Sequence, residues 1–269
     1  MRARTYRNGE IMASEGFQFK QFYVRHDKCA MKVGTDGVLL GCEAPLPDYP
    51  SHVLDVGTGS GLVALMMAQQ KSQAQIDAID IDPFAVEQAK ENFAASPWSD
   101  RLHAYHSSLQ EWQKVNDKCS NGNYYDLIVS NPPYFRNSLK NPDKARQLAR
   151  HTDTLSYEDL LIHSTRLLKP EGVLTLILPA SAEEEMVGVA TRLALSAKYS
   201  PKEDSFLYCV SMLRISIKEG QPPKRVIMYF RKLEARKMPY ICFYSSCFIE
   251  DKNGGRSFFY QELTKDFYL

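Results

Sequence analysis

Apolar residues in this chain fall into short blocks separated by polar, glycine- or proline-containing breaks, and the blocks alternate between two kinds of spacing. Runs near 52–56, 75–80, 102–106, 125–130 and 172–178 are short and rich in Val, Ile, Leu and aromatic residues, which predicts buried strands. Between them, stretches near 61–70, 83–95, 157–168 and 182–196 carry apolar residues at helical spacing. Pro83 suits the first turn of one such helix and Asp82 its cap. Lys169-Pro170-Glu171-Gly172 reads as a stop and turn before the fifth strand, and two further β segments follow near 205–217 and 224–231. Upstream, a short arm leads into a strand or hairpin around Phe17 to Val24 and a helix from about Thr35 to Cys42. Met66, Met67, Phe84 and Phe93 are expected in the core. The alternation predicts an α/β fold, a doubly wound and mostly parallel sheet.

Composition adds limits. At 269 residues and 44% hydrophobic content the chain can bury one sizeable core with short extensions. No span has the apolar run needed to cross a membrane, and no signal-peptide core follows Met1-Arg2-Ala3-Arg4-Thr5, so a soluble protein without a membrane partner is expected. Cys29, Cys42, Cys119, Cys209, Cys242 and Cys247 show no C-x-x-C spacing, and His26, His52, His103, His106, His151 and His163 form no spaced ligand set. The expectation is reduced thiols, a cytoplasmic location and no metal.

A net charge of +1 leaves nucleic-acid binding to local patches. One basic cluster is Arg136, Lys140, Lys144, Arg146 and Arg150. Another is Arg214, Lys218, Lys224, Arg225, Arg231, Lys232, Arg236 and Lys237. Charge runs are ordinarily solvated faces, but the first cluster directly follows residues 131–134 and would emerge at the rim of a pocket there, where phosphates flanking an inserted base must lie.

The strand His52–Val56 runs into Gly57-Thr58-Gly59-Ser60-Gly61 and then a helix, a strand, glycine turn and helix unit in which main-chain N–H groups are open to a ligand. Gly61 follows Gly59 by two residues where the dinucleotide fingerprint requires three, which argues against NAD. The next strand ends in Asp80, about 20 residues on, where this fold places an acceptor for ribose hydroxyls. After the strand Tyr125–Ser130 comes Asn131-Pro132-Pro133-Tyr134. Two prolines remove N–H donors from that bend, leaving the Pro132 carbonyl and the Asn131 amide oxygen as acceptors beside the Tyr134 ring. Such a set suits a planar amine on an aromatic ring; the plain alternative is a turn after a strand.

Loop, acid and Asn-Pro-Pro-Tyr, in this order, resemble the class I S-adenosylmethionine-dependent methyltransferases, in particular their amino-methylating branch. Phe19-Lys20-Gln21-Phe22, Met31 to Gly41, Ala149-Arg150-His151 with Leu155-Ser156, Pro223-Lys224-Arg225-Val226 and Asp266-Phe267-Tyr268-Leu269 are similar to a bacterial family that methylates N6 of adenosine 37, next to the anticodon of valine tRNA. The stretch from Met238 to Gly255 matches no motif.

The resemblance implies a Rossmann-like domain over 46–269 whose sheet is closed by a C-terminal antiparallel hairpin, with residues 1–45 as an arm and helix packed on the cofactor site. It implies S-adenosyl-L-methionine as cofactor and tRNA as partner, with a monomer favoured. Asn131, Pro132, Pro133 and Tyr134 become the catalytic set, Asn131 also touching the cofactor. Gly57, Gly59 and Gly61 take the amino-acid part of the cofactor, Asp80 its ribose, and Ser108 or Leu109 its adenine. Asp55 either binds the cofactor's ammonium, the preferred role, or orients the glycine turn. Thr35 and Asp36 line the same end of the pocket or cap a helix. Tyr134, Arg136, Lys140 and Arg150 become substrate contacts. Ribosomal RNA, DNA adenine or a protein glutamine are alternative substrates, and a non-catalytic binding module is the remaining alternative.

Overall fold

The five apolar blocks form the parallel half of one eight-stranded sheet. The computed structural model describes residues 6–7, 10–11, 15–45, 51–71, 73–120, 124–132, 155–198, 205–234 and 241–269, with backbone alone at 6–7, 10–11, 116–120 and 197–198. Two small antiparallel pairs come first, β1 (Tyr6–Arg7) with β2 (Glu10–Ile11) and β3 (Gly16–Gln18) with β4 (Tyr23–Arg25), then α1 (Thr35–Glu43). The core follows as β5 (His52–Val56), α2 (Leu62–Gln70), β6 (Gln75–Asp80), α3 (Pro83–Ala94), β7 (Leu102–His106), α4 (Leu109–Ser120) and β8 (Tyr125–Ser130). After it come α5 (Tyr157–Leu167), β9 (Leu168–Pro179), α6 (Glu183–Lys198), β10 (Ser205–Lys218), β11 (Arg225–Glu234), β12 (Phe243–Glu250) and α7 (Phe258–Thr264).

Strand order is β12-β10-β11-β9-β8-β5-β6-β7. Strands β9, β8, β5, β6 and β7 run parallel, β11 lies antiparallel between β9 and β10, and β12 pairs parallel with β10. β8 is buried at every position and β5 at all but its first, as parallel strands covered on both faces must be. The chain winds outward from β5 to β7 and then returns to β8 on the other side of β5, so a crevice opens at the carboxyl ends of β5 and β8.

The strands and helices anticipated from the apolar pattern are present, with the hairpin at 16–25 and the β10–β11 hairpin. Asp82 caps α3, accepting from the Phe84 N–H at 2.9 Å. Met66, Met67 and Phe93 are buried. Phe84 is not: it stands 63% exposed, because it sits in the first turn of α3 while the helix buries Ala85, Val86, Gln88, Ala89, Asn92 and Phe93. The turn expected at Lys169–Gly172 is a bulge within β9, where the register with β8 jumps from Tyr125↔Leu168 to Leu127↔Val173 and Glu171 takes φ 64°. Among the elements that went unanticipated, besides the short β1–β2 pair, three stand out. α4 carries mostly polar residues, which hides its helical period, β12 is an edge strand with its first four residues exposed, and α7 spans only seven residues.

The segments around the resemblance motifs pack on each other. Gly37 and Gly41 lie one turn apart on α1, and a Cβ there would fall 2.9 Å from Leu62 Cδ2 and 2.7 Å from Met66 Sδ. Their lack of a side chain lets α1 approach α2 closely. Phe19 stacks on Phe22 and on Tyr268, the Lys20 N–H donates to the Phe267 carbonyl at 2.8 Å, and Gln69 Nε2 donates to the Asp266 carbonyl at 2.8 Å. The Asp266–Leu269 terminus therefore fastens the N-terminal segment to the core.

Candidate active site

The glycine turn owes its shape to left-handed backbone at alternate positions. Gly57, Gly59 and Gly61 take φ of 72°, 56° and 81°, which L-residues with a Cβ disfavour. Beyond Gly57 and Gly59 a Cβ would meet nothing within 4 Å, whereas at Gly61 it would fall 2.5 Å from Phe93 Cε1. The first two glycines thus keep space open outside the turn, and the third lets the turn close onto α3.

Three side chains hold this turn. Asp55, 2% exposed at the end of β5, accepts the Thr58 hydroxyl at 2.7 Å and is hydrogen-bonded by the Ala64 N–H. Burial pushes its carboxyl up to about 7, with Asp80 adding to the rise and the two hydrogen bonds opposing it. Asp80 Oδ2 accepts the Gly59 N–H and Oδ1 the Asp82 N–H, each at 2.9 Å. Asn92 supplies the third support, an inward-facing amide on α3. Its Nδ2 donates to the Ser60 and Arg25 carbonyls at 2.8 Å each, and its Oδ1 accepts the Arg25 N–H at 2.9 Å. One turn earlier, Gln88 Oε1 accepts the Lys28 N–H at 3.0 Å, so α3 anchors residues 25–28 as well. Neither amide was singled out from sequence. The signal available was two polar residues at i and i+4 on a face otherwise made by Ala85, Ala89 and Phe93.

Across the crevice, Val56 pairs with Ser130, whose hydroxyl donates to the Val56 carbonyl at 2.8 Å. The next residue on each strand is then Gly57 or Asn131. Both line one cavity of about 510 Å³, together with Asp55, Thr58, Gly59, Thr35 and Asp36. The capping alternative for Thr35 and Asp36 does not hold: the cap of α1 is Gly34, without a side-chain cap, and Asp36 accepts Arg225 Nε at 2.8 Å.

Other anticipated positions stand outside that cavity. Gly61 faces Phe93, and Asp80 reaches the cavity wall through its bond to Gly59. Ser108 caps α4, its hydroxyl accepting the Glu111 N–H at 3.2 Å and donating to the Glu111 carboxylate at 3.0 Å, and Leu109 is buried beneath it. Ile81 and Phe84, which follow Asp80 in sequence, are large apolar residues more than half exposed. Pro132 is buried where it follows Asn131, while Pro133, Tyr134, Arg136, Lys140 and Arg150 lie outside the described residues. Of the second basic cluster, Arg214 pairs with Glu183 and Lys232 donates to the Leu168 carbonyl at 2.7 Å, so these two are structural rather than a solvated face. Among the described residues no group of three or more His, Cys, Asp or Glu side chains gathers as a metal site, and no helix is long and apolar enough to cross a membrane.

Known proteins share the fold and much of the sequence. The profile of the methyltransferase small domain matches residues 38–193. In solved structures the fold is similar to protein Atu636 from Agrobacterium tumefaciens (TM-score 0.62, 14% identity, 85% of this chain and 95% of that one). It is also similar to M. jannaschii TYW2, solved in complex with AdoMet (TM-score 0.54, 13% identity, 84% and 90%). In sequence, the chain is 46% identical to a protein of Parabacteroides distasonis over 96% of this chain and 99% of the relative. It is 44% identical to one of Phocaeicola vulgatus (96% and 99%) and 42% to one of Aeromonas salmonicida (95% and 98%). All three relatives are named tRNA1(Val) (adenine(37)-N6)-methyltransferase. With the glycine turn and Asn131 meeting at one crevice and identity of this extent along nearly its whole length, the chain belongs to the tRNA1(Val) (adenine(37)-N6)-methyltransferase family.

Proposed function

We propose that this chain transfers a methyl group from S-adenosylmethionine to N6 of adenosine 37 in valine tRNA. The observation that carries the reading is the shared cavity of Gly57, Gly59 and Asn131 at the point where the strand order reverses. The turn fits such a cofactor, since its first two glycines leave open space where any side chain would intrude. When bound, S-adenosylmethionine supplies an electrophilic methyl group.

Gly57 and Gly59 admit its amino-acid part, and Asp55, already at the cavity wall, receives its ammonium. Each oxygen of Asp80 accepts one main-chain N–H and has capacity for one more donor, which suits ribose hydroxyls. The exposed Ile81 and Phe84 beside it offer apolar cover for an adenine. Ser108 and Leu109 stay candidates for the adenine edge, and Thr35 and Asp36 for the amino-acid end.

At Asn131 the work is positioning and electrostatics. Its amide oxygen and the Pro132 carbonyl accept the two N–H bonds of the target amine, and proline offers no competing donor. Positive charge would grow on the amine nitrogen as its bond to the methyl carbon forms and the methyl's bond to sulfur breaks, with one N–H proton lost afterwards to solvent, so fixed carbonyl dipoles stabilise the transition state more than the ground state. Tyr134 stacks on the base in this reading, and Arg136, Lys140 and Arg150 meet phosphate.

The test is to incubate tRNA lacking the modification, ribosomal RNA and DNA in parallel with labelled S-adenosylmethionine and to map the labelled nucleoside. Label on N6 of adenosine 37 in valine tRNA is expected. Label confined to another substrate would overturn the assignment.

A further inference from the structure

The stretch that resembles no motif, Met238 to Gly255, ends beside the active-site cavity. β12 pairs in parallel with β10, bringing Ile249 and Glu250 level with the strand tip at Ile215 and Ile217, and these four residues form the wall farther along the cavity from the glycine turn. A tight turn follows. Asp251 Oδ1 accepts the Asn253 and Gly255 N–H groups at 2.8 and 3.0 Å, the Asp251 N–H donates to the Gly255 carbonyl at 2.8 Å, and Gly254 takes φ 84°. This turn folds Arg256 back against Glu250 by a β-bridge. There the guanidinium lies 4.9 Å from the Tyr260 ring centroid, and its nearest approach to the Glu250 carboxylate is 3.7 Å, longer than a direct hydrogen bond. Met31 and Lys32, both exposed, also line the cavity. Of the acidic groups in the lining, Asp36 is held by Arg225, Asp55 belongs to the glycine-turn end assigned to the cofactor, and Glu250 faces Arg256 itself.

Resting on the function proposed above, we infer that the part of the cavity lined by Ile215, Ile217, Ile249 and Arg256, with Lys32, is the docking site for the target nucleotide of the RNA substrate. The ribose and adenine contacts assigned to the cofactor, at Asp80, Ile81 and Phe84, lie outside this cavity, so the cofactor claims only its inner part. What is left of the lining includes Ile215, Ile217 and Ile249, the exposed Met31, and the cations Arg256 and Lys32. A nucleotide has that pattern, a flat apolar base joined to anionic phosphate. The Asp251 turn fixes the backbone at Arg256 and the Tyr260 ring backs its guanidinium, so less freedom is lost on binding. An arginine with one distant carboxylate keeps donors for phosphate oxygens.

The experiment measures binding of labelled tRNA by fluorescence anisotropy across a salt series, for wild type, Arg256→Gln, Lys32→Gln and the double variant. Thermal melts confirm folding, and S-adenosylmethionine affinity is measured by calorimetry. Lys252→Gln, on the same turn but outside the cavity lining, is the control. The double variant is expected to bind tRNA about tenfold more weakly, with the slope of log K against log salt shallower by about 1.5, and to bind S-adenosylmethionine as wild type does. A slope and affinity matching wild type in the double variant, or a loss equal to that of Lys252→Gln, would overturn the inference. Wild-type turnover on unmodified tRNA, run alongside, tests the function separately. A wild type that methylates tRNA with insensitive variants refutes only the docking site, and a wild type that neither binds nor methylates tRNA refutes both.

Discussion

Replacing the three turn glycines by alanine one at a time separates two reasons for glycine that sequence cannot distinguish. All three have positive φ, so each alanine carries a backbone penalty of about 1–2 kcal/mol. At Gly57 nothing else is met within 4 Å, and the methyl enters the cavity. At Gly61 the new Cβ would fall 2.5 Å from Phe93 Cε1 and 3.0 Å from its Cζ, on a ring that is 3% exposed and packed in the core. Overpacking of that kind adds about 1–3 kcal/mol. Urea unfolding should therefore show Gly61→Ala losing roughly 2–5 kcal/mol against about 1–2 kcal/mol for Gly57→Ala. Calorimetric titration with S-adenosylmethionine should show the reverse emphasis, with Gly57→Ala folded but at least tenfold weaker in binding. Wild-type affinity in Gly57→Ala would refute the cavity assignment, and equal stabilities for the two variants would refute the packing argument.

Two further outcomes follow from buried polar groups. Below about pH 4 the Asp55 carboxyl keeps its proton in the folded and unfolded chains alike; as pH rises the unfolded chain ionises first, while the folded group holds its proton to about 7. Stability present at low pH is thus lost between about pH 4 and 7, by about 1.4 kcal/mol per unit and about 4 kcal/mol at most. Asp55→Asn escapes that loss, so its Tm relative to wild type should rise from about pH 4 to 7 and level off above that; parallel Tm profiles would show that Asp55 ionises normally. Asn92→Ala removes the partners of the Ser60 and Arg25 carbonyls and of the Arg25 N–H, a cost of about 1–3 kcal/mol. Hydrogen exchange should then quicken at Arg25 and through the glycine turn, and unchanged protection there would argue that Asn92 anchors neither.

Sequence made the sheet legible because its central strands are buried on both faces and read as continuous apolar runs, as at Leu127–Val129 and Leu54. It failed where burial is one-sided. β12 exposes its first four residues, and α4 is written largely in Gln, Glu, Lys, Asn and Asp. Phe84 was misplaced because an aromatic residue in the first turn of a helix carries the same apolar signal whether it enters the core or stands at a crevice. In the site, glycines and the Asn-Pro bend announced themselves through backbone chemistry. The ion pair of Asp36 with Arg225 joins positions 189 residues apart, and Asn92 acts 67 residues from Arg25; local pattern holds no record of such distances.

The central claim is that Asn131 serves the target amine rather than the fold or the cofactor. Asn131→Ala in the full-length protein, assayed for turnover on unmodified tRNA and for S-adenosylmethionine affinity by calorimetry, tests it most directly. Turnover should fall by at least a hundredfold, about 2.7 kcal/mol of transition-state stabilisation, with cofactor affinity within a few fold of wild type. Retained turnover, or parallel loss of both in a folded variant, would contradict the account.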